Sequence, residues 1–146
     1  MSTETLQKLK PAIVTNLFKD LELNLTDDFT ILKDTAGKAN IQFSNSKFRG
    51  KNGIVIFYNP DCPHCQNMQG DVIRLANMTK GLYPVGTINT KNTMFGNNLL
   101  ADFMKVQYYP SIKFYDNGNF VDYNDGRDIK SFMKFLCVKN GLCDLS

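Results

Sequence analysis

The run Ile54-Val55-Ile56-Phe57-Tyr58 is closed by Asn59-Pro60-Asp61 and followed at once by Cys62-Pro63-His64-Cys65. No other stretch constrains this chain as much. An unbroken run of uncharged β-branched and aromatic residues reads as a strand buried on both faces. After Cys65 the apolar residues Met68, Val72, Leu75 and Ala76 recur at spacings of three and four, which is one face of a helix. The two cysteines therefore fall at a strand-to-helix junction. Cys62 lies near the helix N-terminus, and Pro63 suits the first turn, where a missing N–H costs nothing.

That placement has chemical consequences. The helix dipole and the free backbone N–H groups at a helix N-terminus favour a thiolate. A protonated His64 adds to the effect. Both lower the pKa of Cys62, and the thiolate is the species that attacks a disulfide. Cys65, three residues on and on the same helical face, is placed to resolve the resulting mixed disulfide. A Cys-X-X-Cys between a strand and a helix reads as a redox pair. A zinc site shared with Cys137 and Cys143 is disfavoured, because that second pair has the wrong spacing. No metal or cofactor is expected.

The stretch Ile54 to Cys65 resembles the active-site strand and turn of the thioredoxin superfamily. Phe57-Tyr58 before the motif and the later Asp125-Gly126-Arg127 resemble the catalytic domains of protein disulfide isomerases, and Pro63-His64 is the dipeptide of strongly oxidising members. The resemblance covers roughly residues 50 to 140. It implies an α/β thioredoxin fold, a central mixed sheet flanked by helices, here with an extra N-terminal helical segment. It also implies thiol–disulfide exchange on protein substrates, with Cys62 as nucleophile and Cys65 resolving. Pro110, 48 positions after Cys62 (110 − 62), matches the family's cis-proline. Tyr109-Pro110 would then lie against the cysteine pair and face the substrate. The chain departs from the family in three places: Asp61 where many relatives have Trp, Ile56 where a buried acid is usual, and a bulky Tyr109 before the proline.

The rest of the chain is read in order. Leu6, Leu9, Ile13, Val14, Leu17, Phe18 and Leu21 follow helical spacing, so a helix is expected over residues 5–22 with Pro11 at its start or at a kink. Phe29–Leu32 and Ile41–Phe43 are strand-like pieces around Ala36-Gly37-Lys38. Val85–Asn89 is the next strand. Leu99, Leu100, Phe103 and Met104 mark a short helix capped by Asn97 or Asn98. Ile112–Tyr115 and Phe120–Tyr123 flank the hairpin signal Asn117-Gly118. A last helix runs from about Asp128 to Lys139, with Gly141 as its cap. These elements divide into an N-terminal extension, residues 1–48, packed on a thioredoxin-like domain, residues 49–146, in effect one globular unit.

Composition excludes several classes. The chain has 146 residues, is 42% hydrophobic and 21% charged, and carries a net charge of +3, ordinary values for a globular protein. Its lysines are scattered, without a basic run interleaved with aromatics, so nucleic acid is not an expected partner. No apolar run approaches the roughly 18 residues of a membrane helix. The polar start, Met1-Ser2-Thr3-Glu4, does not read as a signal peptide, so a cytoplasmic location is expected, with a viral factory or virion as the setting that would reconcile it with an oxidising motif. Expected partners are protein thiols and disulfides and a redox partner that resets the pair. The expected state is a monomer or a weak dimer. For Cys137 and Cys143 a second disulfide, two free thiols and a relay to the first pair stay open. Folding back after Gly141 would bring them within the roughly 4.4–6.8 Å Cα separation a disulfide needs. An oxidant or isomerase is favoured over a reductase, at roughly −120 to −200 mV. The alternative is a non-catalytic interaction or assembly module on the same fold.

Overall fold

The computed structural model describes residues 15–116 and 118–140. Its centre is a four-stranded sheet in the order β4-β3-β5-β6. β3 (Gly53–Tyr58) pairs parallel with β4 (Val85–Asn89) and antiparallel with β5 (Ser111–Asp116), which pairs antiparallel with β6 (Asn119–Tyr123). All six residues of β3 are buried, because a strand with neighbours on both edges and cover on both faces has no solvent side.

Successive side chains on a strand point to opposite faces, so β3 feeds two cores. Ile54, Ile56 and Tyr58 face one cluster with Met68, Val72, Leu75, Phe132 and Leu136. These last come from α3 (Gln69–Met78), the residue before it, and α5 (Ile129–Asn140). Val55 and Phe57 face the second cluster with Ile88, Leu100, Ala101 and Tyr115. The carboxylate of Asp71 on α3 accepts the Ile129 N–H at the start of α5, 3.2 Å away. That bond fixes one helix against the other.

The second core is closed by a hairpin. β1 (Phe29–Lys33) and β2 (Ala39–Phe43) form a separate two-stranded antiparallel sheet. It is preceded by the single helical turn α1 (Leu25–Asp28). Phe43 stacks on Phe48, with ring centroids 4.4 Å apart, and meets Tyr115 edge-on. The two strand-like pieces of the N-terminal extension thus pair with each other, and the hairpin packs on the sheet face.

The helix expected over residues 5–22 does not form in its described part. Residues 15–24 make a strap of bends and turns that ends in a bridge between Glu22 and Thr87. The cause is competition for backbone partners. Leu23 donates to the Thr87 carbonyl and Thr87 donates to the Leu21 carbonyl, at 2.7 and 2.8 Å, so β4 takes bonds that a helix would have used. Gly86 lets the strap come this close, since a Cβ there would stand 2.3 Å from Leu23 Cδ1. Phe18 is 1% exposed in the first core and meets Tyr58 edge-on. Residues 1–14 lie outside those described, as do Asn117 and the Gly141 cap.

Two further expectations change. The active-site helix is two helices, α2 (Pro63–Asn67) and α3, separated at Met68 with φ −90° and ψ 1°. The short helix α4 (Asn97–Phe103) is capped by Gly96 at φ 76°, not by an asparagine side chain. Asn97 is fully buried. It accepts from Leu25 N–H and donates to Asn24 Oδ1 and the Asn89 carbonyl. Its amide ties three segments together and is not free to cap.

Candidate active site

Strand β3 ends at Tyr58, and Asn59-Pro60-Asp61 turns the chain into α2. The Cys62 N–H donates to the Asn59 carbonyl and the Gln66 N–H to the Cys62 carbonyl, both at 3.0 Å. Cys62 is the N-cap of α2, with Pro63 and His64 in its first turn. Cys62 is half-buried, Cys65 is fully buried, and both are free thiols.

The two sulfurs are chemically unlike. The Cys62 thiol is pulled below its ordinary value first by the Cys65 backbone N–H, then by the Cys65 side chain, the His64 backbone N–H and the Arg127 charge, against a smaller desolvation cost. Burial pushes the Cys65 thiol up to about 11, and the Cys62 sulfur beside it adds to the rise. One turn of chain therefore holds a reactive sulfur and a reserved one. The backbone of residue 64 reaches the Cys62 sulfur, while the His64 side chain itself is exposed.

The second wall of the site comes from the approach to β5. The Tyr109–Pro110 peptide is cis. The Cys62 thiol donates to the Tyr109 carbonyl, 3.7 Å away. The guanidinium of Arg127 donates to the Pro110 carbonyl at 3.4 Å. A cleft of about 360 Å³ opens beside Pro110, lined by Tyr108, Ile112, Tyr123, Asp125 and Arg127. The structure thus brings together Cys62, Pro63, His64, Cys65, Tyr109 and Pro110. Cys137 sits half-buried on α5, whereas Cys143 and any pairing with it lie outside the described residues. Among the described residues no cluster of His, Cys, Asp or Glu is placed to hold a metal, and no helix is long and apolar enough to cross a membrane.

Three residues take on roles that the sequence alone did not assign them. Arg127 acts on both sulfurs from the far end of the β6–α5 connection. Lys91 pairs with Asp61. Ile56 stands where an acid would be usual, and a carboxyl instead reaches its register partner Thr87 on the next strand. Glu22 of the strap accepts from the Tyr58 hydroxyl and from Thr87 Oγ1, the latter at 3.0 Å. Burial raises its carboxyl to about 7. Only long-range contacts assemble Lys91 and Glu22, so sequence spacing carries no trace of them, whereas Arg127 belongs to the Asp125-Gly126-Arg127 segment that the resemblance marked without giving it a role.

A parallel-and-antiparallel sheet covered by helices, with a Cys-X-X-Cys at the end of a wholly buried strand and a proline loop against it, defines a thioredoxin-fold thiol protein. The thioredoxin family description matches residues 28–137, and the chain belongs to that family. It is 31% identical over 93 residues to protein disulfide isomerase-like 2-1 of Oryza sativa subsp. japonica, covering 62% of this chain and 25% of that protein. It is 28% identical over 89 residues to protein disulfide-isomerase of Drosophila melanogaster, covering 60% of this chain and 18% of that protein. The chain thus corresponds to about a quarter or less of each. Among solved structures it resembles the J-Trx1 fragment of ERdj5, with a TM-score of 0.56 and 27% identity, over 62% of this chain and 44% of that one.

Proposed function

We propose that this chain is a thiol–disulfide oxidoreductase acting on protein substrates, closer to an oxidant or isomerase than to a reductase. The observation that carries the reading is the unequal pair: Cys62 half-exposed with its thiol lowered, Cys65 buried with its thiol raised to about 11. In the reducing direction the Cys62 thiolate attacks a substrate disulfide and one substrate sulfur leaves as a thiolate. Cys65, losing its proton, then attacks the Cys62 sulfur, forming the Cys62–Cys65 disulfide and releasing the second substrate thiol. In the oxidising direction the same steps run backwards and the substrate gains the disulfide.

Stabilising the Cys62 thiolate stabilises the reduced pair, which makes the oxidised pair a better oxidant. Pro63 and the N-terminus of α2 support that thiolate, and the His64 backbone N–H adds to it. Tyr109 and Pro110 form the wall along which an extended substrate segment lies, and the cleft beside Pro110 takes one of its side chains. Support comes from the relatives named as protein disulfide isomerases. The test is the redox equilibrium of the pair against glutathione, together with trapping by Cys65→Ala. A potential of roughly −120 to −200 mV and mixed disulfides through Cys62 are expected. A thioredoxin-like value near about −270 mV would remove the oxidant reading, and failure to trap any protein would remove the exchange reading.

A further inference from the structure

Asp61 directly precedes Cys62, and a carboxylate there opposes a thiolate. The structure gives that carboxylate a partner. Lys91 Nζ contacts Asp61 Oδ2. Each residue is anchored by its own backbone: Asp61 N–H donates to Asn59 Oδ1 at 2.9 Å, and Lys91 N–H to Asn89 Oδ1 at 3.1 Å. The two anchors follow paired strand ends, because Tyr58 of β3 is in register with Asn89 of β4. The Tyr58 carbonyl accepts from both the N–H and the hydroxyl of Thr90, at 3.0 and 2.9 Å. The loop after β4 is therefore held alongside the active-site turn, and its first charged residue lies on Asp61.

We infer that Lys91 is a positioning residue for Cys62, which cancels the Asp61 charge and so favours the Cys62 thiolate over the thiol. The inference rests on Cys62 being the nucleophile. Ionisation moves a proton from Cys62 Sγ to water and leaves a negative charge one residue from Asp61. The other titratable or charged groups around that sulfur are Cys65 and His64 on α2 and Arg127 from the β6–α5 connection. Without Lys91 the Asp61 carboxylate, one residue from the new charge, loses the cation it is paired with. Both partners are well exposed, with side-chain accessibilities of 52% and 68%, so the pair contributes little to folding. Its effect falls on the ionisation next to it.

The experiment follows the pH dependence of iodoacetamide alkylation of the reduced full chain, read by peptide mass spectrometry so that Cys62 is separated from the other cysteines. Lys91→Gln is expected to raise the Cys62 midpoint and slow its alkylation at mildly acid pH by about threefold, as a unit charge a few ångströms away in water would. Asp61→Asn shifts the midpoint the other way. The double variant returns close to wild type, and Lys91→Arg keeps the wild-type profile. About 1 M salt shrinks all the differences. A Lys91→Gln profile that superimposes on wild type overturns the inference, and so does a double variant displaced as far as the single. A drop in thermal midpoint with an unmoved profile assigns Lys91 a structural role instead and also overturns it. Alkylation needs no protein substrate, so this readout is separate from the trapping experiment: loss of exchange activity rejects the proposed function while leaving the Lys91 effect measured.

Discussion

The hydroxyl of Tyr58 lies 2.5 and 2.7 Å from the two carboxylate oxygens of Glu22, joining the last residue of the wholly buried β3 to the N-terminal strap. The same hydroxyl accepts the Leu17 N–H at 3.1 Å. Desolvation raises the Glu22 carboxyl from 4.5 to about 7, against the lowering pull of its two hydrogen bonds, and burial raises the Tyr58 phenol as well. The folded chain therefore holds the Glu22 proton more tightly than the unfolded chain does. Between about 4.5 and about 7 the native state binds more protons, so the stability this group allows is full below that window and falls as pH rises through it. The loss is at most roughly 3 kcal/mol. Urea denaturation at several pH values should show the decline in wild type and a flatter profile in Glu22→Gln. Equal slopes in the two proteins would show that Glu22 is not the titrating group.

Phe18 tests the strap from its apolar side. It is 1% exposed, packs in the cluster that contains Cys65, and meets Tyr58 with ring centroids 5.1 Å apart. Phe18→Ala removes most of that contact and leaves a cavity, at a cost of about 3–5 kcal/mol. Because the cavity lies against β3, the Cys62 alkylation rate should change with it. Chemical denaturation gives the first quantity and alkylation the second. A loss below about 1 kcal/mol would mean that the strap peels away without cost to the core.

Asn97 makes a polar counterpart. Its buried amide accepts from Leu25 N–H and donates to Asn24 and Asn89. Asn97→Ala takes this partner from the Leu25 N–H and from Asn24 Oδ1 in a partly buried setting, while the Asn89 carbonyl keeps its bond from the Asn92 N–H, at a cost of about 1–3 kcal/mol. Asn97→Asp should be worse than alanine near neutral pH, because an ionised carboxylate cannot donate to either acceptor. Thermal melts of the two variants order them, and the reverse order would refute the hydrogen-bond assignment.

Asn97 also shows where the sequence stops being informative. Its position before Leu99 and Leu100 suggests a helix cap, and a cap is a local arrangement. The partners that claim it are 8, 72 and 73 positions away. The strap misled for the same reason. Leu17, Phe18 and Leu21 have helical spacing, but bonds from Thr87 decide the backbone there. By contrast, Ile54 to Tyr58 and the four residues from Cys62 to Cys65 could be read directly. Strand burial, the turn and the N-cap are all set within a dozen residues. The six site residues named from sequence lie together because the motif and the proline loop meet at adjacent strands. Arg127 and Lys91 reach the active-site turn, and Glu22 reaches Tyr58 and Thr87, from elements that only the folded sheet brings near.

Arg127 gives the prediction closest to the chemistry. Its charge favours the ionised form of both Cys62 and Cys65, and its guanidinium donates to the Pro110 carbonyl at 3.4 Å. Removing the charge with Arg127→Gln makes the reduced pair less stable, since reduction is what places a thiolate at Cys62. The oxidised pair then becomes a weaker oxidant, and the potential moves to more negative values. Arg127 is exposed, and its charge is the least of the causes acting on Cys62, so the shift is a few-fold in the glutathione equilibrium, under the roughly 30 mV that a tenfold change represents. Arg127→Lys should recover most of the potential, because it keeps the charge, while losing the planar fork that reaches Pro110. A potential that moves equally in the lysine and glutamine variants would assign the effect to the Pro110 contact and not to the charge.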